Sequence, residues 1–446
     1  MDGSRAAPGG ASARVLAACR DADVELVRFL WADHDGVVRG KAAATRVLPE
    51  RMAGGIGLTV AMQAMNMLDQ LQPVPGMGPV GEVRLVPDPA TFAVLPYAPG
   101  AAVMTCDMLD LDGAPWAACP RSFLTRAVGE LAEAGFTAQA AFEPEFTLGR
   151  RVGGPDGVDR LEPVDDSLCF SGTGFGEAHD YAVELVRALN AQGLDVEQYY
   201  PELGPGQQEL SIRHAPPVRA ADRMVLYRET ARGVARRQGL WASLAPKPLP
   251  DQAGNGAHVH VSLWDPAGER NLFSDGADPL ALSDTGYHFV GGLLAHLPAL
   301  LALTCGSVNS YRRLQPRTWS GAYTCFGPDN REAPVRVASP LRGREDASVN
   351  LEIKTVDATG NPYLALGAVL LAGLDGVRNK TDPGEPLTAD PATLDDAERD
   401  RRGIARLPGT LGTALDALER DELLSAALGE VRRHAYLAVK RSDVAA

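Results

Sequence analysis

Residues 254–264 read GNGAHVHVSLW, a glycine-rich loop followed by alternating polar and apolar residues. Such alternation predicts a β-strand, because successive side chains of a strand point to opposite faces. His258, His260 and Ser262 would then share one face, while the apolar residues between them face the core. A His-x-His pair after a glycine-rich loop is typical of a metal or phosphate site, although two hydrogen-bonded core histidines explain the pattern equally well.

A second polar strand is predicted at residues 141–146, AFEPEF. The period of two places Glu143 and Glu145 on one face and Phe142 and Phe146 on the other. Two carboxylates on one face repel each other unless a cation lies between them, so a divalent metal is their natural partner. For this segment alone a solvated face is the simpler interpretation, because glutamates are usually exposed.

Two further segments show related patterns. In ELGPGQQE, residues 202–209, the Gly-Pro-Gly turn can fold the chain back and bring the two glutamates to one site. In VNLEIKTVD, residues 349–357, alternation puts Asn350, Glu352 and Lys354 on one face. Taken alone, the first segment is an ordinary loop, and the second is a surface ion pair that adds little stability.

Together the four segments supply five glutamates and a histidine, enough for two divalent cations, and carboxylate-rich sites favour Mg²⁺ or Mn²⁺. An arginine-rich stretch precedes the last segment. Its members are Arg312, Arg313, Arg317, Arg331, Arg336, Arg342 and Arg344. Metals and guanidinium groups together provide the charge neutralisation that phosphoryl transfer needs. Because the sequence has no Walker A motif and no kinase-type glycine loop, metals and arginines would have to hold a nucleotide.

Length and composition limit the classes of function. The chain has 446 residues, 45% hydrophobic and 22% charged, as in a globular protein of two or three domains. Its formal net charge of −14 opposes binding to nucleic acid or to an anionic membrane. The sequence shows no signal peptide, no long apolar run and no CxxC pair among its six cysteines. We therefore expect a cytoplasmic protein with neither nucleic acid nor membrane as a partner.

The pattern of the chain changes near residue 112. Before it, short apolar segments alternate with turns and predict a strand-rich domain, with a loop-like, methionine-rich stretch over residues 54–68. After it, strands alternate with helices, which predicts an α+β domain. Helices are predicted at residues 120–135, 222–237, 286–301, 361–377 and 411–439. Asn361 followed by Pro362 is a suitable N-cap for the fourth of them.

These motifs, in this order, resemble the signature blocks of glutamine synthetase. The similar blocks are residues 142–146, 202–209, 254–263, 309–314, 330–331 and 351–364. The resemblance implies an α+β fold, with a small β-grasp domain at residues 15–112 and a large, guanido-kinase-like catalytic domain at residues 113–446. It also implies a homo-oligomer, a double-ring dodecamer whose active sites lie between the small domain of one subunit and the large domain of its neighbour.

Enzymes of this family use ATP to phosphorylate a carboxylate, usually the γ-carboxylate of glutamate, and an amine then displaces the phosphate. The resemblance implies two or three Mg²⁺ or Mn²⁺ ions per site. By matching positions, the ligands of the nucleotide-side metal are Glu143, His258 and Glu352. The ligands of the other metal are Glu145, Glu202 and Glu209.

The resemblance also assigns the substrate contacts. Arg331 and Arg336 match the arginines that stabilise the transferred phosphate. Ser262, His260 and Arg336 match nucleotide contacts. Arg313, Gly254, Lys354 and Trp319 match positions around the amino-acid substrate. A mostly structural signature of the small domain matches Asp33, Gly36, Arg39, Gly40 and Lys41.

Three positions depart from the family pattern. The ammonia-using members have an aspartate in the small domain and a flap glutamate, where this chain has GIGLTVAM at residues 55–62 and QPRTWSGAY at residues 315–323. Both groups that would attract ammonium are therefore missing, which predicts a larger amine packed against apolar or aromatic groups: Met62, Met65, Trp319 and Tyr323. A displaced carboxylate such as Asp69 is the alternative. Lys354 stands where the family has an arginine, and this exchange changes how a carboxylate can be held.

We therefore predict an ATP-dependent carboxylate–amine ligase that couples the γ-carboxylate of glutamate to an amine larger than ammonia and gives a γ-glutamylamide. The alternatives are an ordinary ammonia-using glutamine synthetase and a ligase for a different carboxylic acid in a biosynthetic pathway. An inactive structural relative is disfavoured, because clustered carboxylates cost stability without cations and all six ligand positions are kept.

Overall fold

A computed structural model describes residues 8–154 and 157–446 of the chain. The N-terminal part contains helices α1 (Pro8–Asp21) and α2 (Leu48–Gly54) and strands β1 (Leu26–Ala32), β2 (Val38–Ala44), β3 (Ile56–Thr59), β4 (Glu82–Pro87), β5 (Ala93–Val94) and β6 (Ala101–Leu109). The strands form one sheet in the order β2-β1-β6-β4-β3, with β5 paired to β6. The predicted strand-rich domain is confirmed. The expected loop over residues 54–68 is wrong in part, because β3 pairs with β4 and a 3-10 turn follows at Val60–Ala64.

The rest of the chain is built on a larger sheet. Its strands are β7 (Thr137–Gly153), β8 (Asp159–Pro163), β9 (Val196–Pro201), β10 (Gln207–Ile212), β11 (Trp241–Ser243), β12 (Ala257–Trp264), β13 (Phe326–Pro328), β14 (Val335–Ala338) and β15 (Asn350–Ile353). The order is β13-β14-β15-β12-β7-β10-β9, and β8 and β11 pair with β7. All four motif segments therefore lie on or beside neighbouring strands, with β7 and β12 in the middle.

Helices cover this sheet. They are α3 (Pro120–Glu133), α4 (Gly172–Glu177), α5 (His179–Ala191), α6 (Pro217–Arg237), α7 (Asp284–Thr304), α8 (Ser310–Arg313), α9 (Glu345–Ser348), α10 (Pro362–Asn379), α11 (Asp396–Arg401), α12 (Leu411–Arg420), α13 (Glu422–Leu428) and α14 (Glu430–Ala445). The predicted cap of α10 is confirmed, since the side chain of Asn361 accepts hydrogen bonds from the backbone N–H groups of Tyr363 and Leu364. The predicted α+β fold class, a small N-terminal domain followed by a large catalytic domain, is confirmed. The predicted boundary near residue 112 stays a prediction.

Two features of the helices were not foreseen. The single helix expected over residues 411–439 is wrong, because Asp421 caps α13 and Gly429, at φ 72°, separates α13 from α14. By length and composition α7 could cross a membrane, but 67% of its most apolar stretch is buried. It packs against α10 and α12 in the core. Its hydropathy is therefore that of a central core helix.

The C-terminal helix joins the small domain to the large one. Lys440 on α14 is almost fully buried and forms an ion pair with Asp35, in the turn between β1 and β2. Nearby, the side-chain amide of Asn66 donates to the Ser442 hydroxyl at 3.1 Å, and Asn361 donates to the backbone carbonyl of Asp33 at 2.8 Å. These contacts involve buried charge and backbone groups, so they fix the small domain against the catalytic sheet.

Candidate active site

The pairing of strands brings the predicted site residues together. On β7 Glu143 lies opposite His258 of β12, and Glu145 lies opposite Glu209 of β10. Glu352 of β15 lies between His260 of β12 and Arg336 of β14. The alternate residues of these strands point into the core, where Phe146, Val259 and Leu351 are fully buried. The predicted period of two is thus confirmed, and it builds one polar face from five strands.

Glu352 is surrounded by basic side chains. Its side chain is 2% exposed, with Arg336 Nε 2.6 Å from Oε2, Lys354 Nζ 3.4 Å from Oε1 and His258 Nδ1 3.1 Å from Oε1. Burial alone would raise the pKa of Glu352, but Lys354 and the histidines lower it well below its usual range. The surface ion pair considered for this segment is therefore wrong, since both Glu352 and Lys354 are buried.

Glu209 has the opposite surroundings. It is 4% exposed, and its charged neighbours are Glu143 and Glu145, while the Tyr200 hydroxyl donates a hydrogen bond to it. Burial and the two like charges raise the pKa of Glu209 to about 11. Burial and Glu145 likewise raise the pKa of Glu202, which lies just before the Gly-Pro-Gly turn. The predicted turn is formed, with the Glu202 N–H donating to the Gln207 carbonyl at 2.8 Å.

Glu143 and His260 lie between the surroundings of Glu352 and those of Glu209. His260 Nε2 lies 3.3 Å from Glu143 Oε2, and its Nδ1 lies 2.8 Å from Asn350 Oδ1. Burial would lower the pKa of His260, but Glu143 outweighs burial and raises this pKa to about 9. In return, hydrogen bonds from the histidines hold the pKa of Glu143 well below its usual range, against the effect of burial. This pair is therefore ionised at neutral pH.

Comparison with known proteins identifies this arrangement. Sequence models of the glutamine synthetase N-terminal domain and the glutamine synthetase catalytic domain match residues 10–116 and 117–446. The chain belongs to the glutamine synthetase family. As in that family, the chemistry is ATP-dependent ligation of an acid to an amine with formation of a C–N bond.

Three similar proteins have names that state different products or amine substrates. The chain is 39% identical over 419 residues to the γ-glutamylpolyamine synthetase of Streptomyces coelicolor, covering 94% of this chain and 89% of that protein. It is 36% identical over 373 residues to the glutamine synthetase of Halobacterium salinarum (81% of each). It is 38% identical over 359 residues to the glutamate–methylamine ligase of Methyloversatilis universalis (78% and 77%). A crystal structure of a novel glutamine synthase homologue matches with a TM-score of 0.83 and 38% identity, over 95% of this chain and 94% of that one.

The residues present fit the divalent metals that the glutamine synthetase family uses. Ligand atoms of Glu143, His260 and Glu352 all lie within 4.8 Å of one another. Glu352 Oε2 is buried and makes no hydrogen bond, because the nearby Arg336 N–H is not directed at it. Carboxylates and imidazoles are ligands that Mg²⁺ and Mn²⁺ accept. The His258 ring also lies beside these carboxylates, with nitrogens 3.1 Å from Glu352 and 3.7 Å from both Glu143 and Glu145. The predicted role of His258 as a metal ligand stays a prediction.

Arg313 enters the cluster through a gap left by two glycines. A Cβ on Gly254 would lie 2.9 Å from Arg313 Cγ, and one on Gly256 would lie 2.8 Å from Arg313 Nη2 and 2.5 Å from His258 Nε2. Arg313 Nη2 donates to the Lys354 carbonyl at 2.8 Å, while its buried Nη1 makes no hydrogen bond. An unpaired buried guanidinium N–H is costly, which suits a site where a substrate carboxylate completes the pairing.

The remaining predicted residues lie at the edge of the cluster. Ser262 is buried farther along β12, where its Oγ accepts a hydrogen bond of 2.9 Å from Trp264 Nε1. Arg331 is exposed in the connection between β13 and β14. Asp69, considered as a displaced carboxylate, is 74% exposed and pairs with Arg39 at 2.7 Å on the small domain. The structure therefore brings Arg313 and Arg336 into the cluster, but not Arg331.

A buried carboxylate beneath the flap (residues 315–323), Glu332, was not among the predicted site residues. Its two oxygens accept the backbone N–H groups of Trp319 at 2.8 Å and Arg317 at 3.2 Å. Both residues have positive φ, 54° and 62°, a conformation that is strained for side chains of this size. Burial raises the pKa of Glu332. Glu332 directly follows the Asn-Arg block, residues 330–331, but this position does not indicate a contact with the flap.

Proposed function

We propose that this protein is a γ-glutamylamide ligase, which phosphorylates the γ-carboxylate of glutamate with ATP and couples it to an amine larger than ammonia. The proposal rests on the composition of the flap, residues 315–323. Trp319, 55% exposed, stands where ammonia-using members have a glutamate, and the one carboxylate identified beneath it, Glu332, is occupied by two backbone N–H groups. An exposed indole favours the carbon chain of an amine, and its π-face also attracts an ammonium group.

The cluster supplies the remaining parts of the reaction. Glu143, Glu145, Glu202, Glu209, Glu352 and His258 would hold the cations, with His260 beside them. When bound, the divalent ions neutralise phosphate charge and polarise the phosphoryl group. Arg313, beside Gly254, would pair with the carboxylate of glutamate. Arg336 and Arg331 would stabilise the phosphoryl group, while His260 and Ser262 would contact the nucleotide.

The chemistry proceeds in two displacements. In the first, a γ-carboxylate oxygen attacks the γ-phosphorus of ATP and the bond to ADP breaks. In the second, the amine nitrogen attacks the acyl carbon, the C–O bond breaks and inorganic phosphate leaves, while the amine loses its proton. Most of this catalysis is positioning and charge neutralisation, which is what a preorganised cluster of buried charges provides.

We also propose the predicted homo-oligomer, a dodecamer with its sites between subunits, in the cytoplasm. Exposed apolar residues on the small domain support an interface there. Met67, Leu68 and Leu71 are 52%, 58% and 43% exposed, and they follow Met62 and Met65 by two to nine residues. In such a ring the small domain of one copy could bring its methionines to the flap of the next. The six cysteines are free, and five of them are buried, which fits a reducing compartment.

The test is a phosphate-release assay with ATP, Mg²⁺ or Mn²⁺ and glutamate, run against ammonium, methylamine, ethanolamine, putrescine and spermidine, with products identified by mass. We expect kcat/KM for at least one organic amine to exceed that for ammonium by tenfold or more. Equal or better glutamine formation would overturn the proposal in favour of glutamine synthetase. Trp319→Ala should reduce the preference for the organic amine, whereas Leu111→Ala, at an exposed apolar residue just after β6, is the control.

A second candidate is a ligase for another acid. Lys354 is 5% exposed and its Nζ lies 3.4 Å from Glu352, so its charge is already paired and it does not offer the fork of an arginine to a substrate carboxylate. The same assay with aspartate, 2-oxoglutarate and other acids in place of glutamate tests this alternative. Faster phosphate release with another acid than with glutamate would support it.

A further inference from the structure

A cleft lies between the small domain and the catalytic domain. It has a volume of about 810 Å³ and is lined by the turn between β1 and β2, by α6 and by β11. None of the six predicted metal ligands lines it. A cavity of this size accommodates an organic molecule.

Four arginines give this cleft its charge. Arg228, Arg232 and Arg236 occupy one face of α6 at intervals of four residues, and Arg151 faces them from β7. At 1.5 Å per residue the row on α6 is about 12 Å long. Like charges at this spacing repel one another, which costs stability unless anions compensate.

Little compensation comes from the described part of the chain. Arg232 has Glu229 at 3.5 Å, and Arg151 pairs with Asp159 and stacks 4.7 Å from the ring of Trp241. The carboxylate lining the cleft, Asp35, is already paired with Lys440. The cleft therefore keeps a positive charge.

Arg228 is the residue that most requires a partner. It is 4% exposed, and its Nη2 donates to the Gly36 carbonyl at 2.7 Å, but its Nε and Nη1 make no hydrogen bond. Burial and Arg232 lower the pKa of Arg228 to about 10, so the guanidinium stays charged at neutral pH. Asp33 and Asp357 are near enough to offset part of this effect on the pKa. Nε–H and Nη1 lie on different edges of the guanidinium, so each offers a single charge-assisted hydrogen bond to an acidic group.

We propose that this cleft binds an anion with two or more phosphate or carboxylate groups. One acidic group pairs with Arg228 and a second lies along Arg232 and Arg236. The exposed indole of Trp241 and the side chain of Leu244 offer an apolar wall for the rest of the ligand. Because Gly36 and Arg228 belong to different domains, the bound anion would stabilise the arrangement of the two domains.

The experiment is a calorimetric titration of the full-length oligomer with pyrophosphate and, separately, with citrate, in EDTA-containing buffer without ATP or amine. We expect one anion per chain to bind and to raise the melting temperature, and the better probe distinguishes a phosphate from a carboxylate ligand. Arg232→Gln should weaken binding about tenfold and Arg228→Met should weaken it further. Arg237→Gln is the control, since Arg237 lies on the same helix but donates to the Pro96 carbonyl.

Other results would overturn the proposal. One is the absence of binding by either anion to the wild-type protein. Another is binding that Arg336→Gln removes and Arg232→Gln leaves intact, which would place the anion in the active site. A third is a change of oligomer mass, without a change in anion affinity, in Arg232→Gln and Arg236→Gln, which would mean that a second copy fills the cleft. These two surface variants keep the test valid if Arg228→Met fails to fold, and none of the readouts depends on ligase activity.

Discussion

Glu352 and Glu209 lie on strands of the same sheet and are both almost completely buried, but their neighbours differ in sign. Glu352 has Arg336, Lys354 and His258 within 3.4 Å, and its pKa is lowered. Glu209 faces other glutamates and accepts a hydrogen bond from a tyrosine, and its pKa is raised to about 11. One carboxylate is thus neutralised by the protein itself, whereas the other has to take up a proton or a metal ion.

This difference separates two roles within one cluster. Around Glu352 the charges are preorganised before any ligand binds, which is the condition for electrostatic stabilisation of a phosphoryl group. Around Glu209 the excess of negative charge gives the site its affinity for cations, at a cost in stability to the metal-free protein. Substitutions at the two positions should therefore change stability in opposite directions.

The largest effect is expected for Glu352→Gln. The substitution leaves Arg336 and Lys354 partly or fully buried without a counter-charge, so the free energy of unfolding should fall by about 3–5 kcal/mol and phosphate release should be lost. Denaturant unfolding of the metal-free protein measures the first effect. Glu50→Gln, on the surface of α2, is the control. An unchanged unfolding midpoint for Glu352→Gln would contradict the assignment of Glu352 as the shared counter-charge.

Glu209→Gln should act in the other direction. At pH 8 the folded protein has to keep Glu209 protonated, whereas the unfolded state ionises it. Glu209→Gln removes this cost and should stabilise the metal-free protein by about 3 kcal/mol, while turnover falls because a metal ligand is lost. The two measurements are thermal unfolding in EDTA and phosphate release in Mn²⁺. A variant that is both less stable and inactive would contradict the raised pKa of Glu209.

The pH dependence of the wild-type protein follows from the same residue. Below pH 4.5 Glu209 is protonated in both the folded and the unfolded state; above it, the unfolded state ionises first, because the folded pKa is about 11. The metal-free protein should therefore lose about 1 kcal/mol of stability per pH unit as the pH rises from 5 to 9, beyond the change seen in Glu209→Gln. Saturating Mg²⁺ should reduce this slope, and an equal slope with and without Mg²⁺ would refute the expectation.

The smallest effect concerns Glu332, a buried carboxylate held by backbone N–H groups and not by cations. A glutamine has one acceptor oxygen, so Glu332→Gln should lose one of the two hydrogen bonds to the flap, at a cost of about 1 kcal/mol. We expect KM for the amine to rise about fivefold with little change in kcat or in KM for glutamate. Glu332→Asp keeps both acceptor oxygens and should recover part of the affinity; equal changes in both KM values would instead indicate general damage to the site.

Much of the site could be predicted because it depends on local periodicity. Alternation along residues 141–146 and 254–264 places the correct side chains on one face, and the family resemblance assigns them to one site. Burial could not be predicted in the same way. The ion pair of Glu352 with Lys354 adds little stability on a surface but is a strong interaction when buried in the sheet. The sequence of residues 349–357 does not show which case holds.

Contacts between distant segments were the main source of error. Glu332 accepts hydrogen bonds from flap residues 13 and 15 positions earlier in the chain, and nothing in its local pattern indicates that these two left-handed residues need its oxygens. The apolar periodicity of residues 411–439 continues through two helix ends, so the breaks at Asp421 and Gly429 were hidden by the pattern. In both cases backbone conformation, which side-chain type reflects only weakly, decides the structure.

The ion pair of Lys440 with Asp35 has a practical consequence for handling the protein. Ala446 is exposed, so a purification tag or fluorescent reporter attached after it leaves this pair in place. A truncation that removes Lys440 would instead leave a buried aspartate in the β1–β2 turn with no cation beside it, and soluble yield should drop. Tags for purification or imaging therefore belong beyond α14, not in its place.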